Sequence, residues 1–383
     1  MTKVVLINLW RVINAYGGTE KVFFSLSNEL ASRGYDVTAI ASDSNHGVIH
    51  FPVSEKVNFK NCIVDDVKQS IIRARSFYFP SKQQRDKMRL IISLRNKANA
   101  LKQEINKINP DIIISFQQET TFILKEIIGV NQNVITMFHG NPSCYFKGSK
   151  FNFYKSSLEK SECCQVLLPT YIDELKKHFR PRKSVCIPNA IPQYAQKATL
   201  ENKVIISVGR ISKEKRQHLL VEAFALLKDK YPEWKVELWG ETTYDPVYYE
   251  QIRQKIEDLH LSSVVQFCGV TNNIEEKLEQ ASIFVLASEF EGFPLALGEA
   301  MSKGLPTIGC KSCIAVSSLI KHCSSGLLCD DSPIDMAEKI EKLIKSHKLR
   351  LEYGEHAKCQ IKAYSTDIVL EKWEKLIDSL INE

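Results

Sequence analysis

Two glutamates stand eight residues apart in the stretch EFEGFPLALGEAMSKGLPTIG (289–309): Glu291 and Glu299. A carboxylate accepts hydrogen bonds from two hydroxyls at once, so each suits a diol. Between them lie Gly292, Phe293, Pro294 and Leu295, followed by a helical pattern that runs to Lys303 and stops at Gly304. Pro294 fits a first helical position and Gly304 a helix end. The unpaired N–H groups and the dipole of such a helix start attract phosphate, and Gly292 lets a ligand approach the backbone. Glu299 lies about 7–8 Å further along the axis at 1.5 Å per residue. Sugar hydroxyls, a diphosphate and a ribose follow one another in that order in a nucleotide sugar. Two solvated glutamates beside an ordinary helix start would look the same in this stretch alone.

Three further stretches carry candidate chemistry. SVGRISKEKRQHLL (207–220) puts Arg210 and Lys215 on the loop after a strand, where two cations suit a departing pyrophosphate. NAYGGTEK (14–21) puts Gly17 and Gly18 between a first strand and a first helix, leaving room for a ligand. MFHGNP (137–142) places His139 at a strand end. Each has a plain alternative: a solvated basic loop, a simple turn, a structural histidine.

The elements that must position these residues alternate from end to end. Val4–Leu9 predicts a strand, Thr19–Ser32 a helix and Asp36–Ile40 a strand, followed by strands at 111–116, 133–138, 165–169 and 184–188. A second series follows at 203–209, 235–240, 264–269, 282–288 and 305–310, with helices such as Glu214–Lys228 and Val247–His260 between. Continuous Val/Ile/Leu strands separated by helices mean parallel sheets covered on both faces. Two such series in 383 residues predict two doubly wound α/β domains, joined by the non-periodic, proline-bearing PNAIPQYAQKATLENK (188–203). Asp367–Ile381 predicts a closing amphipathic helix.

The bulk composition excludes other classes. Hydrophobic content of 44% and charge of 25% describe a globular chain, and no apolar run is long enough to span a membrane. MTKVVLINLWRV reads as a first strand rather than a signal peptide. Eleven irregularly spaced cysteines read as reduced thiols, which places the chain in the cytoplasm; Cys310, Cys313, Cys323 and Cys329 lack the spacing of a zinc ribbon or finger. No G-x-G-x-x-G, P-loop or Asp-x-Asp occurs, so neither a dinucleotide cofactor nor a carboxylate-held metal is expected.

Charge is unevenly spread. Residues 67–107 hold eleven Lys and Arg against Asp86 and Glu104, a surplus of nine in a chain whose net charge is +6. Met88, Ile91, Leu94, Ala98, Leu101, Ile105 and Ile108 repeat at three and four, which predicts one amphipathic helix. Its basic face, with Phe77, Tyr78 and Phe79 just before it, suits the anionic inner face of a membrane. No nucleic-acid motif accompanies the charge.

The E-x7-E of Glu291 and Glu299, the G-R-x4-K of Arg210 and Lys215, the GGTE loop, FHG and PNAIP together resemble the family-4 retaining glycosyltransferases of the GT-B fold, in order and over essentially the whole chain. The resemblance implies two Rossmann-like domains facing a central cleft. Residues 1–190 would bind acceptor, residues 191–365 would bind nucleotide sugar, and a helix in 366–383 would return to the first domain. It implies that Glu291 holds the donor sugar, Glu299 the ribose, and Val270 the base. Backbone at Gly292, Phe293, Pro294 and Leu295 would contact sugar and phosphate, while Arg210 and Lys215 steady the leaving diphosphate. Gly17 and Gly18 would make room for donor phosphates and acceptor, and His139 would line the sugar pocket. The implied partners are a nucleotide-sugar donor, with uridine favoured, and a saccharide or lipid-linked acceptor of a surface polysaccharide or lipopolysaccharide. No metal or other cofactor is implied. The sequence departs from the family at CKSCIAVSSLI (310–320), which lacks the usual glycine. Rival readings are a silent sugar-nucleotide-binding subunit, another GT-B enzyme such as an epimerase or phosphorylase, and a glycosidase using Glu291 and Glu299.

Overall fold

The computed structural model describes residues 1–146 and 149–382; residues 147, 148 and 383, which fall within the expected first domain and C-terminal segment, lie outside the described residues. By its packing the chain divides into two units, Met1–Pro188 with Leu370–Glu383, and Asn189–Val369.

The first unit is built on seven strands: β1 (Lys3–Asn8), β2 (Asp36–Ala41), β3 (Val57–Asn61), β4 (Ile112–Ser115), β5 (Asn133–Met137), β6 (Cys163–Val166) and β7 (Ser184–Cys186). All pair in parallel, in the order β3-β2-β1-β4-β5-β6-β7. The sequences VVLIN and IIIS are apolar on successive positions because helices cover both faces, and Val4–Ile7 and Ile112–Ile114 are fully buried. Helix Gly18–Ser32 buries Phe23, Phe24, Ser27, Leu30 and Ala31, one face at helical spacing. From the C-terminal helix Thr366–Ile381, Leu380 accepts from Asn133 Nδ2 at 2.6 Å and Ser379 Oγ from Lys183 Nζ at 2.9 Å.

The second unit holds β8 (Val204–Val208), β9 (Lys235–Trp239), β10 (Val265–Gly269), β11 (Ile283–Leu286), β12 (Thr307–Cys310) and β13 (Gly326–Cys329). These are parallel too, in the order β10-β9-β8-β11-β12-β13. Its core joins Ile205, Val236, Leu238, Val285 and Ile308 to Phe224, Ile252 and Ile340 from the covering helices. In each sheet the chain works outward in one direction and then returns to the other side of the first strand. The switch points lie between β1 and β4 and between β8 and β11. Open α/β sheets bind ligands at the carboxyl ends of strands at such points.

The structure corrects several expected boundaries. The long basic helix is two, Lys82–Ser93 and Arg95–Ile108, with Leu94 between them. Leu94, at φ -88° and ψ -1°, leaves the helical backbone and separates the two. The expected helix Glu214–Lys228 begins as a single 3-10 turn, Lys213–Lys215, and becomes α-helical only over Gln217–Ala225. Pro169 opens the helix Pro169–His178 rather than closing a strand. β3 and β13 were not expected: both are short edge strands, and Asn58, Lys60 and Asn61 give β3 no apolar run.

Candidate active site

The second unit gathers its candidates at the β8/β11 switch point. After β8 the chain passes Gly209 and Arg210 into the turn that carries Lys215; after β11 it passes Ser288 into the loop that carries Glu291. Lys215 Nζ donates to Glu291 Oε1 at 2.5 Å, and Ser288 Oγ donates to the same oxygen at 2.7 Å. Both members of the ion pair are largely covered, with side chains 17% and 11% exposed. The loops are also joined through their backbones, Glu289 N–H to Glu214 C=O at 2.9 Å.

Helix Leu295–Ser302 starts beside this pair. Pro294 is its N-cap rather than its first helical residue, and no side chain caps the helix. Its early N–H groups therefore point out of the helix start without a side-chain cap. Leu297, Ala300 and Met301 anchor it in the core, and Gly304 ends it in the left-handed conformation at φ 76°. Glu299 is held in this helix with 4% exposure. Its charge adds to burial in pushing the Tyr194 phenol above its usual range. Phe293 turns its ring away from the loop against Tyr364, with centroids 5.4 Å apart, leaving its backbone beside Gly292.

Arg210 lies over the ring of Tyr244, its guanidinium carbon 4.0 Å from the ring centroid. The backbone beneath is tightly drawn together. Ile211 N–H donates to Glu241 C=O at 2.9 Å, and a Cβ on Gly240, at φ 151°, would meet Gly209 O at 2.0 Å. Only glycine permits this approach of the loops after β8 and β9. Val270 follows β10 and is 46% exposed at the same end of the sheet.

Arg216, one residue past Lys215, has left-handed backbone at φ 49°, ψ 40°. Its guanidinium bonds the carbonyls of Ala287 and Ser288 and the Asp331 carboxylate, which in turn accepts from Ser312 Oγ. The Arg216 bond holds the Asp331 carboxyl below its usual range despite partial burial. The segment after β12 keeps helix Ile314–Leu319, capped by Cys313 in extended conformation, and no residue from 311 to 320 has positive φ. The backbone here asks for no glycine. Burial pushes the Cys313 thiol up, with the Glu291 charge adding to it. Cys310 and Cys329 lie side by side on β12 and β13, Sγ to Sγ 3.9 Å, as buried thiols. Among the described residues no group of three or more His, Cys, Asp and Glu is placed to hold a metal.

In the first unit the candidates gather at the β1/β4 switch point and beyond. Gly17 is the extended N-cap of helix Gly18–Ser32, and a Cβ there would meet the Glu20 carboxylate at 2.1 Å. The approach to this loop is tied by Asp43, whose Oδ2 accepts from Val12 N–H at 2.7 Å and Ile13 N–H at 2.8 Å. Burial alone would raise the Asp43 pKa; these amide bonds outweigh it and hold the carboxyl below its ordinary range. His139 follows β5 and stacks on Phe116, centroids 4.9 Å apart. Part of the residue reaches the surface, yet its Nε2 is sealed from solvent and has no protein partner. Burial pushes the imidazole pKa down to about 4, opposed by a hydrogen bond to the Phe116 backbone, so the ring is neutral at pH 7.

Sequence reading missed Ser288, Arg216, Tyr244 and Asp43. Arg216 sits inside the quoted SKEKRQ stretch, and its basic character was the one available signal.

Two family descriptions match the chain in succession: Glycosyltransferase Family 4 over residues 16–193 and Glycosyl transferases group 1 over residues 192–360. An uncharacterized glycosyltransferase of Haemophilus influenzae is 26% identical over 373 residues, spanning 95% of this chain and 97% of its own length. A GalNAc-alpha-(1->4)-GalNAc-alpha-(1->3)-diNAcBac-PP-undecaprenol alpha-1,4-N-acetyl-D-galactosaminyltransferase of Campylobacter jejuni is 26% identical over 300 residues, 76% of this chain and 81% of its own. A crystal structure of S. aureus TarM with Fondaparinux, alpha-GlcNAc-glycerol and UDP superposes with a TM-score of 0.79 at 17% identity, covering 100% of both chains, a likeness of fold. With both sheets, both switch points and these matches in place, the chain belongs to the family-4 glycosyltransferases of the GT-B fold.

Proposed function

We propose that the protein transfers a glycosyl group, with retention of configuration and without a metal, from a nucleoside diphosphate sugar to a hydroxyl of a saccharide or lipid-linked acceptor in surface-polysaccharide or lipopolysaccharide assembly. The observation that carries this reading is the Lys215–Glu291 pair at the β8/β11 switch point, beside a helix start with no side-chain cap. A cation, a carboxylate and outward N–H groups within one loop cluster suit a diphosphate joined to a polyol.

In this reading Glu291 receives donor-sugar hydroxyls, and Glu299, nearly sealed on its helix, takes the ribose diol. Backbone at Gly292, Phe293, Pro294 and Leu295 contacts sugar and phosphate. Val270 meets the base. Arg210 and Lys215 stabilise the leaving group. The bond from C1 to the diphosphate oxygen breaks with its electron pair departing on the diphosphate. The acceptor oxygen bonds C1 from the same face, and its proton passes to a phosphate oxygen. Rate then comes from positioning and from charge stabilisation as the diphosphate departs. Gly17 and Gly18 leave room for donor phosphates and acceptor. The sealed, unpartnered Nε2 of neutral His139 is a buried polar atom that a ligand hydroxyl would satisfy.

Uridine diphosphate is the favoured donor nucleotide, in keeping with the UDP bound by TarM. A lipid-linked saccharide acceptor is in keeping with the undecaprenol-linked substrate in the name of the Campylobacter relative. Helix Gln69–Ser76 supports docking on an anionic membrane where such an acceptor is presented: Phe77 and Tyr78 follow it 80% and 87% exposed, and Lys68, Arg73 and Arg75 are exposed around them. No helix among the described residues is long and apolar enough to cross a membrane.

The test is nucleotide release and glycosyl transfer by wild type and Arg210→Ala. Loss of one positioned charge is expected to lower turnover about a hundredfold or more with the fold intact. Near-normal turnover would remove Arg210 from the mechanism.

A further inference from the structure

We propose that Arg216 is a positioning residue that sets the Lys215–Glu291 geometry by clamping four loops at the carboxyl edge of the second sheet. This rests on the transferase reading only for what Lys215 and Glu291 do, not for the clamp itself.

The clamp is visible in the bonds of one guanidinium. Arg216 Nε donates to Ala287 C=O at 2.8 Å and Nη2 to Ser288 C=O at 3.3 Å. Those carbonyls are the stem from which the Glu291 loop hangs, and the Ser288 hydroxyl bonds Glu291 itself. Nη1 and Nη2 meet the two oxygens of Asp331, beyond β13, at 2.9 and 3.1 Å. Nη2 also reaches Ser312 Oγ, beyond β12, at 3.3 Å. The loops after β8, β11, β12 and β13 are thus tied to one rigid fork, a geometry that a lysine ammonium cannot reproduce.

The backbone points the same way. Arg216 occupies a left-handed conformation that glycine adopts freely and arginine only under strain. The chain keeps a strained residue whose side chain is only 12% exposed. Strain persists where surrounding bonds over-determine it, and here those bonds converge on the loop that carries Glu291. Arg216 acts through its neighbours, since its guanidinium bonds the Ala287 and Ser288 carbonyls, Asp331 and Ser312.

The experiment compares wild type, Arg216→Gly, Arg216→Lys and Asp331→Asn. It reads kcat and KM for the donor, thermal midpoint, and amide hydrogen exchange over residues 287–293. Glycine relieves the left-handed strain, so Arg216→Gly is expected to fold with a midpoint close to wild type. Its kcat should fall about a hundredfold, the loss a 1 Å misplacement produces, with donor KM little changed. Exchange at 287–293 should rise. Arg216→Lys and Asp331→Asn should fall between the two. Unchanged exchange and unchanged kcat in Arg216→Gly would overturn the clamp, as would a loss of thermal stability alone with normal kcat. If wild type transfers nothing while exchange still rises in Arg216→Gly, the transferase reading falls and the clamp stands.

Discussion

Removing both members of the Lys215–Glu291 pair should do less harm than the separate removals imply. At 2.5 Å the two charges attract by about 7 kcal/mol at an effective dielectric near 20, before desolvation is subtracted. With side chains 17% and 11% exposed, much of that attraction offsets the loss of water, and a net coupling of about 1–3 kcal/mol remains. Lys215→Met takes the cation from a carboxylate that keeps its bond from Ser288, and Glu291→Gln strands an ammonium. Each single change should cost about 1–3 kcal/mol. For a unit spanning residues 189–369 this is roughly 2–10 °C in the midpoint. The double variant Lys215→Met/Glu291→Gln should melt no lower than the worse single. Thermal unfolding followed by circular dichroism measures this directly. Turnover, read as nucleotide diphosphate release, should drop about 100- to 1000-fold in each single variant, and far less than multiplicatively in the double. Additive stability losses, or rate losses that multiply, would refute a working pair. Because the pair is mostly covered, added salt should weaken the coupling little.

Three further outcomes are expected. Tyr244→Leu removes the ring beneath Arg210, whereas Tyr244→Phe keeps it; a cation–π contact at a half-exposed ring is worth about 0.5–1 kcal/mol, so kcat should fall about two- to fivefold in the first and stay near wild type in the second. Equal losses would dismiss the ring's role. His139 should remain neutral down to a pKa of about 4 by imidazole NMR. The unfolded chain binds a proton near pH 6.5 that the fold refuses, so stability is full above pH 6.5 and declines as pH falls toward 4, by about 1–3 kcal/mol once partial exposure is allowed for. Titration near pH 6.5 would contradict the sealed Nε2. Co-sedimentation with vesicles should require anionic lipid and weaken in Phe77→Ser/Tyr78→Ser; binding indifferent to lipid charge would count against docking through residues 67–107.

The sheets were legible because their central strands are continuous apolar runs, such as DIIISF and SIFVLAS, buried on both faces. β3 was not, since Asn58, Lys60 and Asn61 interrupt its apolar pattern, and β13 was not, since its apolar run is only Gly326–Cys329. Lys215, Glu291 and Glu299 stand out in the sequence by residue type, and the structure places them after β8, after β11 and on the helix that follows. The bond between Lys215 and Glu291 was not legible, because it joins positions 76 apart across the switch point. Arg216, Ser288 and Tyr244 stayed hidden for the same reason: each acts through a loop that reaches it only in the folded sheet. The break at Leu94 escaped periodicity because Leu94 fits the apolar stripe and the change lies in its backbone, not its side-chain type.

Donor binding is read directly by a thermal-shift titration of the purified protein with a panel of nucleoside diphosphate sugars, without added metal, in wild type and Glu299→Ala. A donor at 100 times its dissociation constant stabilises the fold by about 2.7 kcal/mol, roughly 5–10 °C for a unit of this size. A uridine diphosphate sugar should give such a shift, lost in Glu299→Ala. No shift with any donor, or an equal shift in Glu299→Ala, would contradict that reading of the site.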